Sequence, residues 1–251
     1  MNSISDLQMV VTRLLIAVIL VALSGCGGGS GSSTPEVTPT TQNADGIWRG
    51  STVDNAGTCE AFMLTSNGEL AGFSENCRFL YKGGYTVNGS NIAGEAGIYE
   101  IGGEKIATTD FTGTIAQKRK LNWSYTSPNG DNGTFTATYG QGTDRPSSLE
   151  LVEGTWSYGN PDGFSASAVI DGQGAISGSY SNDCVFSGVV SLMDPDKTIY
   201  SIDFDISQCA AQNGSYDGLA TLVTDTATNR DVFIVLAASS DYSVLFPLLR
   251  Q

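Results

Sequence analysis

Downstream of residue 45 the chain is dominated by two-residue alternation. Tyr200, Ile202, Phe204 and Ile206 are separated by Ser201, Asp203, Asp205 and Ser207, the period of a strand with one buried face. Phe62 and Leu64 flank Met63 ahead of the turn Ser66-Asn67-Gly68. Asn67-Gly68 and Asn88-Gly89 are hairpin dipeptides, because Asn and Gly tolerate positive φ. Asn129-Gly130 and Asn132-Gly133 mark another loop, between residues 121–125 and 134–139. Residues 231–238 read DVFIVLAA, a short β-branched run that suits a fully buried strand better than a helix. Turn signals every 8–12 residues or so predict antiparallel sandwiches or barrels. No segment beyond the N-terminal region makes an amphipathic helix.

This pattern occurs twice. Gly46-Ile47-Trp48-Arg49 matches Gly154-Thr155-Trp156-Ser157, and Asn67-Gly68-Glu69-Leu70 matches Gln173-Gly174-Ala175-Ile176. Asn76-Cys77-Arg78-Phe79 then aligns with Asp183-Cys184-Val185-Phe186, and Phe111-Thr112-Gly113 with Tyr216-Asp217-Gly218. Four anchors in one order predict two tandem all-β domains, residues 45–141 and 150–251, joined by the polar stretch 140–148. Each copy has the length to close as a barrel of roughly eight strands. Each also has its own strands, cysteines and opening tryptophan, and so is expected to fold by itself. Gly-x-Trp at a first strand resembles lipocalin-like barrels, and that resemblance implies that Trp48 and Trp156 plug one end of each copy.

The N-terminus obeys a different pattern. An apolar run from Leu14 to Leu23 follows Arg13 and ends at Leu23-Ser24-Gly25-Cys26. The run is too short to span a bilayer, which takes about 20 residues, and it suits a signal peptide. The tetrapeptide resembles the lipobox of bacterial lipoproteins. That resemblance implies cleavage before Cys26, acylation of its thiol by palmitate-class chains, and a membrane partner held through lipid. Gly27, in place of an aspartate after the cysteine, implies the outer membrane. Asp6 is out of place in a positive leader, and a start at Met9 gives a tighter signal peptide. Residues 26–44 are rich in Gly, Ser, Thr and Pro, the composition of a flexible tether.

Cysteine, charge and histidine usage narrow the chemistry. With Cys26 lipidated, Cys59, Cys77, Cys184 and Cys209 remain, an even number in an exported chain. Three connectivities are open to four cysteines; the two-domain division selects Cys59–Cys77 and Cys184–Cys209. A net charge of −14 disfavours nucleic acid as a partner. The chain contains no histidine, which excludes Ser-His-Asp and Cys-His catalysis and His-ligated zinc. No Cys-x-x-Cys and no phosphate loop occur. No cofactor or metal is implied.

Three functions survive. The first is a non-catalytic envelope lipoprotein that binds a protein or glycan. Its one basic cluster, Lys118, Arg119 and Lys120 followed by Trp123 and Tyr125, is the candidate contact surface. The second is a lipocalin-like small-molecule carrier, which requires an apolar cavity in a barrel. The third is a carboxylate-based hydrolase using Asp203 and Asp205, or Asp194 and Asp196, which requires a buried pair in a cleft. Asn129, Asp131 and Asn132 supply oxygens but lack the spacing of a calcium loop. The expectation is a binding module without catalysis.

Overall fold

The computed structural model describes residues 40–54, 57–127, 130–159, 163–181, 183–225 and 228–251; Cys26, its lipobox and Asn129 lie outside them. The alternation resolves into two closed antiparallel barrels in tandem. The first comprises β1 (Gly46–Asp54), β2 (Gly57–Ser66), β3 (Glu69–Ser74), β4 (Phe79–Asn88), β5 (Asn91–Glu100), β6 (Lys105–Ala116), β7 (Lys120–Thr126) and β8 (Asn132–Tyr139). The second comprises β9 (Gly154–Gly159), β10 (Ser165–Ile170), β11 (Ala175–Tyr180), β12 (Val185–Leu192), β13 (Ile199–Ser207), β14 (Gly214–Asp225), β15 (Arg230–Ala238) and β16 (Ser243–Arg250). Within each barrel every strand pairs with its neighbours in sequence, and β1–β8 and β9–β16 pairing closes the circles. Closure removes sheet edges, which is why barrels rather than open sandwiches satisfy these short strands.

Local chemistry sets the turns. Asn67 and Gly68 both take positive φ (51° and 85°) between the paired residues Ser66 and Glu69, a two-residue hairpin as expected. The next hairpin is displaced by one residue: Asn88 pairs with Asn91, so the loop is Gly89-Ser90.

Both barrels are plugged at the same end by the same device. The Trp48 indole N–H donates to the Ala44 carbonyl at 3.0 Å, and the Trp156 indole N–H donates to the Val152 carbonyl at 2.8 Å. Both indoles are fully buried. In the first barrel residues 42–45 form the plug, held where Asn67 N–H and the Tyr85 hydroxyl donate to Asp45 and Gln42 N–H donates to Gly89. In the second barrel a short 3-10 turn, Leu149–Leu151, does this work. Tyr139 meets the Trp48 ring edge-on at 5.2 Å; at the corresponding place Arg250 lies over Trp156 at 4.4 Å.

The barrels share a third apolar cluster. Ile47, Phe62, Leu64, Ala71, Leu80 and Tyr99 on the outside of barrel 1 pack with Ile199, Leu219, Leu236 and Ala238 of barrel 2. This explains the uninterrupted run in β15: Phe233, Val235 and Ala237 face the lumen, while Leu236 and Ala238 face barrel 1. Polar ties surround the cluster. The Tyr99 hydroxyl donates to Ser239 O at 3.0 Å, and Lys82 pairs with Asp217 at 2.6 Å. The connecting stretch is fastened too, with Thr143 fully buried and accepting from Ile47 N–H. The copies therefore close separately but do not pack independently.

Cys59–Cys77 and Cys184–Cys209 are disulfide-bonded, as expected. Ladder register corrects the alignment of the copies. Gly72 opposes Tyr81 and Gly178 opposes Phe186, so Tyr81, not Phe79, is the counterpart of Phe186. By the same logic Thr109, not Phe111, is the counterpart of Tyr216. Both slips are of two residues, which preserves the face of the strand and so leaves the hydrophobic pattern intact.

Candidate functional site: a cavity in the first barrel

Lumen-facing residues of equivalent register differ sharply above the two tryptophans. Barrel 2 carries Tyr158, Tyr180, Phe186, Phe204 and Tyr216 at positions held in barrel 1 by Gly50, Ser74, Tyr81, Ala96 and Thr109. In barrel 2 three of these rings pack across the lumen: Phe204 stacks on Tyr216 at 5.6 Å and Phe186 lies 5.9 Å from Phe204, while Tyr158 and Tyr180 line a hollow at the seam. The Cys184–Cys209 bond, with the Tyr216 hydroxyl donating to Gln212 O, ties the chain down beside them. Four of the five counterparts in barrel 1 are small, and two of them, Ala96 and Thr109, line a cavity of about 470 Å³. That lies within the 300–1,000 Å³ or so typical of small-molecule pockets.

Gly50 does more than leave room. A Cβ there would stand 1.9 Å from Thr136 O and 2.6 Å from Ala137 Cα, so only glycine lets β8 approach this closely. Accordingly β8 pairs with β1 along residues 48–54, whereas β16 meets β9 only at Trp156 and Ser157. Tyr158, standing in Gly50's place, occupies the side of barrel 2 where that ladder stops.

The cavity has an apolar floor and a polar mouth. Met63, Leu70, Phe111, Trp123 and Phe135 line its depth. Trp123 stacks on Phe135 at 4.2 Å and lies 4.6 Å from Phe111, so one wall is a continuous aromatic surface. Thr52, Asp54, Tyr81, Tyr125, Asp131 and Asn132 lie toward the mouth, with Ile106 exposed at the rim. The Tyr125 hydroxyl donates to Asp54 at 3.1 Å. Burial, followed by the negative charge of Asp54, pushes the Tyr125 phenol well above its ordinary range, so it stays a hydrogen-bond donor. Burial likewise raises Tyr81.

The expected contact surface is divided. Trp123 and Tyr125 face the lumen, whereas Lys118 and Arg119 form the β6–β7 turn at the plugged end and Lys120 opens β7 there. Lys118 pairs with Asp144 at 3.0 Å. The basic residues and the aromatics therefore do not form one patch. The missed signal is in β7 itself: Leu121, Trp123 and Tyr125 alternate with Asn122 and Ser124, which places both aromatics on the lumen face.

The candidate carboxylates also separate from any cleft. Asp203 and Asp205 are exposed on the outer face of β13, where the Ser215 hydroxyl donates to Asp205. Asp194 forms a turn, accepting from Asp196 N–H and from Lys197, and these bonds hold its carboxyl below the usual range. Among the described residues no three metal-ligating side chains converge. A second hollow, of about 490 Å³, is lined by Tyr158, Phe164, Phe246 and Pro247 at the barrel 2 seam and by Phe73 and Arg78 of barrel 1. Tyr158, Phe164, Tyr180 and Phe246 contact one another along it, but it opens between the two barrels and is not enclosed by one.

No protein family, no curated protein and no solved structure matches this chain.

Proposed function

We propose that the chain is an outer-membrane-anchored lipoprotein whose first barrel binds a small, largely apolar molecule without chemical turnover. The observation that carries this reading is the contrast in lumen filling: barrel 1 keeps about 470 Å³ open against an aromatic wall where barrel 2 packs rings. A pocket of this size with an apolar body and a few polar groups at its entrance is the usual form of a small-molecule site. It favours a carrier over a module that docks a protein or glycan through an outer surface. The lipobox ending in Cys26 supports attachment to the membrane, and the packed part of the chain begins some 15 residues beyond it.

Titration with the neutral fluorophore N-phenyl-1-naphthylamine tests the binding reading. Saturable uptake of one equivalent is expected, with quenching of Trp123. Ala96→Phe with Thr109→Tyr rebuilds the packing of Phe204 and Tyr216 and is expected to weaken uptake at least tenfold while folding is retained. Absence of saturable uptake, or unchanged uptake by that variant, contradicts it. For attachment, Cys26→Ser is expected to accumulate as an uncleaved precursor that leaves the detergent phase; normal maturation of that variant contradicts a lipid anchor.

A further inference from the structure

Within the carrier reading, on which this step rests, we infer that the ligand is an amphiphilic organic cation: an apolar, preferably flat body with an ammonium or amine group held at the mouth. The body is specified by the floor, where Phe111, Trp123 and Phe135 present ring faces and Met63 and Leu70 supply aliphatic surface. The headgroup is specified by charge. Among the described residues, Asp54 and Asp131 are the only charged side chains that line the cavity, and no Lys or Arg does so.

Two cations stand at the mouth end without lining the cavity: Lys105 lies over the Tyr99 ring at 5.9 Å, and Arg78 lines the second hollow. Lys118, Arg119 and Lys120 stand at the plugged end, Arg49 lies over the Phe62 ring on the outside, and Lys82 pairs with Asp217 of the other barrel. A carboxylate or phosphate ligand would enter against the two acids that line the mouth, under the field of a chain carrying −14. An ammonium meets the opposite conditions. Tyr81 and Tyr125 also line the mouth, and ring faces attract cations. Burial first, then Asp54 and, more weakly, Asp131 raise the Tyr125 phenol, so the ring at the mouth stays neutral beside the acids.

Three probes with one ring system and different heads test this: 1-naphthylmethylamine, 1-naphthylmethanol and 1-naphthoate, each titrated by calorimetry. The amine is expected to bind at least tenfold tighter than the alcohol, and the acid at least tenfold weaker than the alcohol. Raising the salt from 20 mM to 500 mM should compress the amine's advantage. Asp54→Asn with Asp131→Asn should bring all three within threefold while leaving the alcohol unchanged. Equal binding of amine and alcohol to the unaltered protein, or preference for the acid, overturns the headgroup assignment and leaves the carrier reading standing. Binding of none of the three overturns the carrier reading together with it.

Discussion

The two barrels share a topology, a direction and a plug, yet one encloses a chamber and the other packs rings across its lumen and opens only at its seam. Below the level of Trp48 and Trp156 they solve the same problem alike, satisfying a buried indole N–H with the carbonyl four residues upstream. Above that level they diverge in side-chain size and in closure, β8 pairing with β1 at seven positions where β16 pairs with β9 at two. Phe204 and Tyr216 face each other in barrel 2 where Ala96 and Thr109 do in barrel 1, and no change in strand number or order is needed. The lesson is that a duplicated barrel divides labour cheaply. Size is exchanged between the copies: barrel 1 keeps Ala96 and Thr109 small and carries Phe111, Trp123 and Tyr125 where barrel 2 has Gly218, Val235 and Ala237.

Substitution at one such position in each barrel should give the largest contrast. Phe204→Ala removes a buried ring that touches Tyr216 and Phe186, and should cost about 3–5 kcal/mol in denaturant unfolding. Ala96→Phe adds a ring to existing space and should change stability by no more than about 2 kcal/mol, in the stabilising direction. Equal losses from the two changes would mean that barrel 1 has no usable space.

The next contrast concerns what each barrel needs from the other. Leu236 is fully buried, but against barrel 1 and not in its own lumen. Leu236→Ala should cost about 2–5 kcal/mol in the joined chain. In barrel 2 expressed alone (residues 150–251) the same change should be nearly neutral, because the side chain is already exposed. An undiminished cost in the separate barrel would show that the shared cluster contributes little.

Much of the architecture was legible in the sequence for a definite reason. A period of two reports which face of a strand is buried, and Tyr200, Ile202, Phe204 and Ile206 appear in β13 as read. Pairing of the four cysteines also followed from dividing the chain into two copies. Register was not legible, because a slip of two residues leaves the alternation unchanged; hence Phe79 was matched to Phe186 when Tyr81 is its counterpart. The cavity was invisible for the same reason. Ala96 and Thr109 carry no signal by themselves and mean something only beside Phe204 and Tyr216. Trp123 was visible as a feature, but it was assigned to the surface through its neighbours in sequence instead of its alternation with Leu121 and Tyr125.

The smallest effect expected is electrostatic and belongs to barrel 2. Lys197 and the Asp196 N–H hold the Asp194 carboxyl below its ordinary range. A carboxyl whose folded pKa lies below its unfolded value, near 4, adds stability above that pH and loses it as pH falls toward the folded value. Asp194→Asn should therefore lower stability slightly at pH 7 and flatten the acid-induced decline below about pH 4. A variant with an unchanged acid profile would remove this turn from the account.

The division between the two barrels is tested most directly by the three indole N–H resonances, recorded while 1-naphthylmethylamine is added to the intact chain. The prediction is a saturable shift of the Trp123 signal at one equivalent, with the Trp156 signal unmoved in its packed barrel. A shift at Trp156 with Trp123 silent, or no saturable shift at either, would contradict it.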